Sequence, residues 1–141
     1  MSTGRCLCGS VTYDVAGPLR QVIICHCADC RRWHGRGAAM TCALRDRVTI
    51  RGGESLRWFA VDAGPERGFC TRCGSSMFWV APGRPTISIP AGTLDDPRGL
   101  RAIAHIFCTD EQHYDHDHPD GVTRFPAGPS PDVAAPPGVS P

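Results

Sequence analysis

Short runs of branched and aromatic residues, each broken by Gly, Pro or Asp, recur from Ser10 to Phe107, and almost nothing between them keeps a helical period. The pattern predicts a mostly β domain, with strands at 11–15, 21–25, 38–42, 48–50, 56–61, 77–80, 86–89 and 102–107. One short helical turn is expected at 28–33, directly after Cys27, with Asp29 in its first turn and Gly35 to end it. Its role is to present cysteines. The last stretch, 126–141, holds six prolines, two glycines and one charge, which predicts a disordered Pro-rich tail and a folded domain of 1–125.

Composition sharpens this picture. The chain has 141 residues, enough for one domain with its own core, yet only 7% are aromatic and 29 are Gly or Pro, so something besides core burial is expected to hold it. All 15 basic residues are arginine, which excludes lysine Schiff-base chemistry and a P-loop. A net charge of +1 argues against a sequence-independent grip on nucleic acid, which needs a basic face. No apolar run approaches the roughly 20 residues that span a bilayer, and the amino terminus lacks a basic-then-apolar signal. No nucleic-acid or membrane partner is therefore expected, and a cytoplasmic location is. Nothing in the sequence sets an oligomeric state.

Nine cysteines are the chemical feature to explain. An odd number cannot all pair within one chain, and seven of them fall into three tight clusters: Cys6-Leu7-Cys8-Gly9, Cys25-His26-Cys27-Ala28-Asp29-Cys30 and Cys70-Thr71-Arg72-Cys73-Gly74. A Cys-x-x-Cys turn brings two sulfurs onto one Zn²⁺, and a Cys-x-Cys pair does so where the backbone turns. Cys6, Cys8, Cys70 and Cys73 then make a closed structural site that staples the amino-terminal segment to the middle of the chain. Cys25, Cys27 and Cys30 supply three sulfurs, the number expected of a catalytic zinc with an open position. The rival readings of the triplet are a second structural site closed by His26, His34 or Cys108, and a redox disulfide at Cys27 and Cys30, although the βαβ pattern of thioredoxin-like proteins is missing. Cys42 and Cys108 read as buried small hydrophobes.

These motifs resemble the glutathione-dependent formaldehyde-activating enzymes, the S-(hydroxymethyl)glutathione synthase-like proteins related to centromere protein V. The likeness rests on Cys6-Leu7-Cys8-Gly9-Ser10-Val11, on Cys25-His26-Cys27-x-x-Cys30-Arg31-Arg32, on Arg67-Gly68-Phe69-Cys70-x-x-Cys73-Gly74-Ser75 and on His105-Ile106-Phe107. It implies an Mss4-like zinc-binding β fold with two zinc ions divided as above, and a carbon–sulfur lyase that joins formaldehyde to the thiol of glutathione. In that reading Cys25, Cys27 and Cys30 hold the catalytic zinc, His34 manages a proton, and Arg31 and Arg32 meet carboxylates of glutathione. Two other functions compete: a zinc-stapled, non-catalytic binding module of the same fold, and a methionine-sulfoxide reductase-like redox enzyme. The family often carries a Trp after the His-Ile-aromatic strand, where this chain has Gln112-His113-Tyr114. The histidines that follow, His113, His116 and His118, read as a short polar loop before a metal set.

Overall fold

Alternation decides which face each strand buries. The structure, a computed structural model, describes residues 1–116 and 120–135. In chain order its elements are β1 (Ser2–Arg5), β2 (Thr12–Val15), β3 (Val22–Cys25), α1 (Ala28–His34), β4 (Ala38–Leu44), β5 (Val48–Arg51), β6 (Leu56–Ala60), β7 (Glu66–Cys70), β8 (Ser76–Val80), β9 (Thr86–Pro90), β10 (Ala102–Ile106), α2 (His113–His116), β11 (Thr123–Arg124) and α3 (Pro131–Ala134). All eight expected strand segments and the expected helical turn are present, most with ends shifted by a residue or two. Strands β1, β7 and β11 were not expected.

The strands form two sheets. A three-stranded sheet runs β1-β2-β5, and an eight-stranded sheet runs β11-β10-β3-β4-β9-β8-β7-β6. The large sheet is antiparallel except at one end, where β10 lies parallel to both β3 and β11. Between the sheets, Val11, just before β2, and Tyr13 and Val15 of the small sheet pack with Met77, Phe78, Ile87 and Ile89 of the large one, forming the core. Tyr13 and Phe78 meet edge to face at 5.4 Å. On β4 and β9, Ala43, Ile87 and Ile89 belong to this core, whereas Met40, Cys42, Thr86 and Ser88 point to the other face of the large sheet and line a cavity there. The core and the cavity are thus two sides of one sheet.

Gly4 shows why β1 is a strand despite its polar sequence. It sits opposite Tyr13, and a Cβ there would stand 2.2 Å from the Tyr13 hydroxyl oxygen and 2.6 Å from the Thr93 carbonyl oxygen. Pairing and fit hold this segment, not side-chain propensity.

The carboxyl-terminal stretch is partly tied down. Phe107, Cys108 and Thr109 donate their backbone N–H groups to the carbonyls of Ala127, Phe125 and Pro126, and α3 follows. Of the expected tail, Pro126 and Ala127 thus accept main-chain hydrogen bonds from the segment after β10, 131–134 form α3, and 136–141 lie outside the described residues.

Candidate metal centres and cavity

Cys6 and Cys8 flank the turn that leads into β2, while Cys70 ends β7 and Cys73 sits in the β7–β8 turn. Gly9 and Gly74 follow the second cysteine of each pair with φ of +77° and +76°, values that favour glycine and let each turn close tightly. The four sulfurs all lie within 4.8 Å of one another. The Cys6–Cys8 and Cys8–Cys70 sulfur separations are 3.6 and 3.8 Å. A tetrahedral ion with sulfurs at about 2.3 Å requires edges of about 3.8 Å, so the donor set fits zinc, and it is far too open for a disulfide at about 2.05 Å. Hydrogen bonds from the Ser75 hydroxyl and backbone draw the Cys73 thiol down to about 5, while burial pushes Cys70 up to about 11.

The second cluster is built around a helix start. Cys25 ends β3, Cys27 caps α1, and Cys30 lies one turn into it. The Cys27 sulfur accepts the Cys30 N–H at 3.4 Å, and Gly35, at φ 80°, ends the helix by donating to the Arg31 carbonyl. All three sulfurs lie within 4.8 Å of one another, and among the described residues no fourth side chain joins the group. Hydrogen bonds from Cys25 and Cys30 hold the Cys27 thiol down to about 2. The other two thiols are held up, Cys25 to about 11, first because each shares its proton with a neighbour. Three thiols this close oppose one another's ionisation, and a divalent ion would offset that repulsion and allow all three sulfurs to ionise. That is the donor chemistry of a zinc site with three protein ligands.

The triplet opens onto the cavity on the large sheet, which has a volume of about 430 Å³ and is lined in part by Trp33, His34, Arg67 and Trp79. Trp33 forms an aromatic wall, stacked on Phe59 at 5.9 Å and edge-on to Phe69 at 5.8 Å, with its Nε1–H donated to the Ser76 hydroxyl at 3.0 Å. His34 lines the cavity seven positions after Cys27, on the same side of α1. Burial, with Arg67 nearby, lowers its pKa below 6.5, so its imidazole is neutral and able to accept a proton at pH 7. Arg67 is itself buried and pairs with Asp29 at 3.3 Å, tying β7 to the Cys27–Cys30 turn.

Arg31 and Arg32, expected at the carboxylates of glutathione, follow Cys30 on α1, and Arg31 Nε is buried with no hydrogen-bond partner among the described residues. Arg20, Arg67 and Arg84 line the cavity. Cys42 is buried as expected, and Cys108 is half-buried. All nine cysteines are free.

His26, between two sulfurs of the triplet, faces elsewhere. Its Nε2 lies 2.7 Å from Nδ1 of His105, with ring planes 20° apart, and His105 Nε2 lies 2.8 Å from Asp120 Oδ2. Glu111 Oε1 is 3.7 Å from His26 Nε2, and Asp115 Oδ2 is 3.6 Å from His26 Nδ1. Two nitrogens on one tetrahedral ion stand about 3.4 Å apart, so the closer imidazole pair is a hydrogen bond and not a ligand edge. The network joins β3 to β10 and the segment after it, and so fixes the backbone that carries Cys25 and Cys27. Of the expected polar loop, His113 and Asp115 lie in the short helix α2, and Asp115 is buried against Arg36 and the Gly37 N–H; His118 lies outside the described residues. No helix of the described residues is long and apolar enough to cross a membrane.

Comparison with known proteins agrees with this architecture. Residues 1–110 match the family model of the glutathione-dependent formaldehyde-activating enzymes. The fold is similar to the crystal structure of a Rhodobacter sphaeroides protein from structural genomics, at 26% identity and a TM-score of 0.53, over 71% of this chain and 97% of that one. No match is found among curated proteins. The matched stretch carries all seven clustered cysteines and ends in the turn after β10, and the chain belongs to the glutathione-dependent formaldehyde-activating enzyme family.

Proposed function

We propose that this protein is a zinc-dependent carbon–sulfur lyase that handles adducts of a small thiol, joining formaldehyde to glutathione to give S-hydroxymethylglutathione. The observation that carries the reading is the triplet Cys25, Cys27 and Cys30, three convergent sulfurs at the wall of a cavity with no fourth described side chain among them. Its volume of about 430 Å³ is within the usual range of small-molecule sites. Zinc bound there supplies a positive centre that keeps a thiol ionised at neutral pH and polarises a carbonyl oxygen.

The chain's own residues supply the rest. In the forward direction the thiol sulfur attacks the aldehyde carbon, a C–S bond forms, the C=O π pair moves to oxygen, and the thiol proton ends on that oxygen. His34, held neutral by burial and by Arg67, is suited to accept the thiol proton on its free ring nitrogen and return it to the new alkoxide. Trp33 and its aromatic partners keep water off one side. The Arg67–Asp29 pair and the His26–His105 hydrogen bond position the Cys27–Cys30 turn and do not take part in bond making.

Cys30→Ala tests the reading. Zinc content is measured by elemental analysis, and exchange between glutathione, formaldehyde and their adduct is followed by NMR above the uncatalysed rate. The expected variant loses one of two ions, keeps its fold and no longer accelerates exchange. A variant that loses one ion and retains the full rate would show the triplet to be non-catalytic and favour the binding-module reading.

A further inference from the structure

Arg20 stands at the cavity with its charge unmatched. Its Nε donates to the Gln21 carbonyl at 3.2 Å, Nη2 to the Met40 carbonyl at 3.0 Å and Nη1 to the Ala134 carbonyl at 3.4 Å. All three acceptors are neutral main-chain oxygens, and among the described residues no carboxylate lies within ion-pair distance of this guanidinium. Arg67, by contrast, has Asp29, and Arg84 is exposed to solvent. Burial lowers the Arg20 pKa, the mark of a cation withdrawn from water. Such a group is costly unless an anion meets it.

Its hydrogen-bond inventory gives the shape of what is missing. A guanidinium carries five N–H groups, and three are accounted for, which leaves one on each terminal nitrogen. Two parallel N–H groups match the two oxygens of a carboxylate.

Placement gives the distance. Arg20 precedes Cys25 by five residues along the lead-in to β3 and the strand itself, and both residues line the same cavity. Arg20 Nη2 reaches the Met40 carbonyl, and Met40 pairs with Ile23, two residues before Cys25 on β3; at about 3.3 Å per residue plus the width between strands, guanidinium and triplet are on the order of 10 Å apart. A ligand with its sulfur at the triplet and a carboxylate at Arg20 is therefore extended, of tripeptide length, and not a thiol whose carboxylate is two or three bonds from sulfur.

We propose that Arg20 is the carboxylate-recognition residue of the cavity, selecting thiols that carry an acidic group on the order of 10 Å from sulfur, with the Ala134 carbonyl holding the guanidinium until that group arrives. The selection of thiols rests on the function proposed above; the anion subsite does not. The segment that supplies the carbonyl is suited to yield. Gly128, Pro129 and Ala134 line the cavity, the Arg20–Ala134 bond is the longest of the three, and the anchor at Phe125–Ala127 is separate from α3, so α3 can part from Arg20 without undoing it.

Calorimetric binding to the full-length zinc-loaded protein separates the two ideas, using glutathione, its diethyl ester and S-methylglutathione. Wild type is expected to bind glutathione about ten- to a hundredfold more tightly than the diester, the range for a hydrogen-bonded charge pair. Arg20→Gln is expected to bring glutathione down to the level of the diester, to weaken S-methylglutathione by the same factor and to leave the diester unchanged, and Arg20→Lys to keep part of the preference. Equal binding of acid and ester by wild type overturns the proposal with no variant needed. So does a preference that survives in folded Arg20→Gln, or a failure of wild type to bind either acid. If glutathione binds no better than S-methylglutathione while both depend on Arg20, the anion subsite stands and the thiol reading falls.

Discussion

Replacing Cys70 with alanine removes one sulfur of the four-cysteine site and leaves no polar atom in its place. The site joins the turn before β2, in the small sheet, to the β7–β8 hairpin of the large one. Cys8 and Cys70 are 62 positions apart. Treated as a cross-link that closes a loop of that length in the unfolded chain, the ion contributes about 4 kcal/mol to stability. For a domain of this size each kcal/mol moves the midpoint by about 3–5 °C, so the variant should melt about 12–20 °C below wild type. The assay is a thermal melt followed by circular dichroism, paired with zinc content. Cys70→Ala is expected to keep one ion of two and its large sheet. Loss of one ion with a shift below about 3 °C would show that the staple does not cross-link the unfolded ensemble as reasoned, and loss of both ions, or of neither, would refute the division of seven cysteines into two sites.

Two further outcomes are expected. The Thr93 hydroxyl gives its proton to the Pro90 carbonyl, so the Tyr13 hydroxyl must donate to Thr93 at 2.8 Å, and burial pushes its pKa up to about 12. Because the native state holds this proton more tightly than the unfolded chain, the associated stability, about 2–3 kcal/mol, is complete below pH 10 and is lost as pH rises towards 12. Tyr13→Phe should cost about 1 kcal/mol at neutral pH and remove most of that alkaline decline in denaturant titrations; parallel decline of both proteins would contradict it. Gly37→Ala places a Cβ 2.8 Å from His26 Nδ1 and 3.3 Å from Ile24, so it should destabilise by about 1–3 kcal/mol, whereas Gly92→Ala, which meets nothing within 4 Å, should not. Equal melts for the two would show that the His26 ring moves aside at no cost.

Much of this architecture could be read directly from residues. Branched runs such as Thr86–Pro90 declare themselves as strands, and the three cysteine clusters specify their own donor sets. What escaped are features made by partners distant in sequence. Glu66–Cys70 reads as Glu-Arg-Gly-Phe-Cys, yet it is the strand between β6 and β8, and a Cβ added at Gly68 would stand 3.2 Å from the Trp58 ring, tighter than ordinary contact. Arg20, within Gly-Pro-Leu-Arg-Gln, has no local signature; its significance arises from Met40 and from Ala134, 114 positions away. His26 was visible as a spacer between sulfurs, and its partner His105 lies 79 positions on, beyond any spacing rule. Arg31 and Arg32 stand out beside the cysteine motif, whereas Arg67 and Arg84, which also line the cavity, come to it from β7 and the loop after β8.

Helix α1 has seven residues, about half the length at which an isolated helix begins to persist in water. Its first turn is capped by the Cys27 sulfur, and Cys30 sits within it, so any ion held by the triplet binds the folded helix and not the unfolded one. Order in α1 and metal occupancy are therefore one linked equilibrium. Trp33 rides on that helix, stacked on Phe59 from β6. Its indole is a built-in optical gauge: release of metal should loosen the ring from its aromatic neighbours and report the state of the site as a change in tryptophan emission, with no added label.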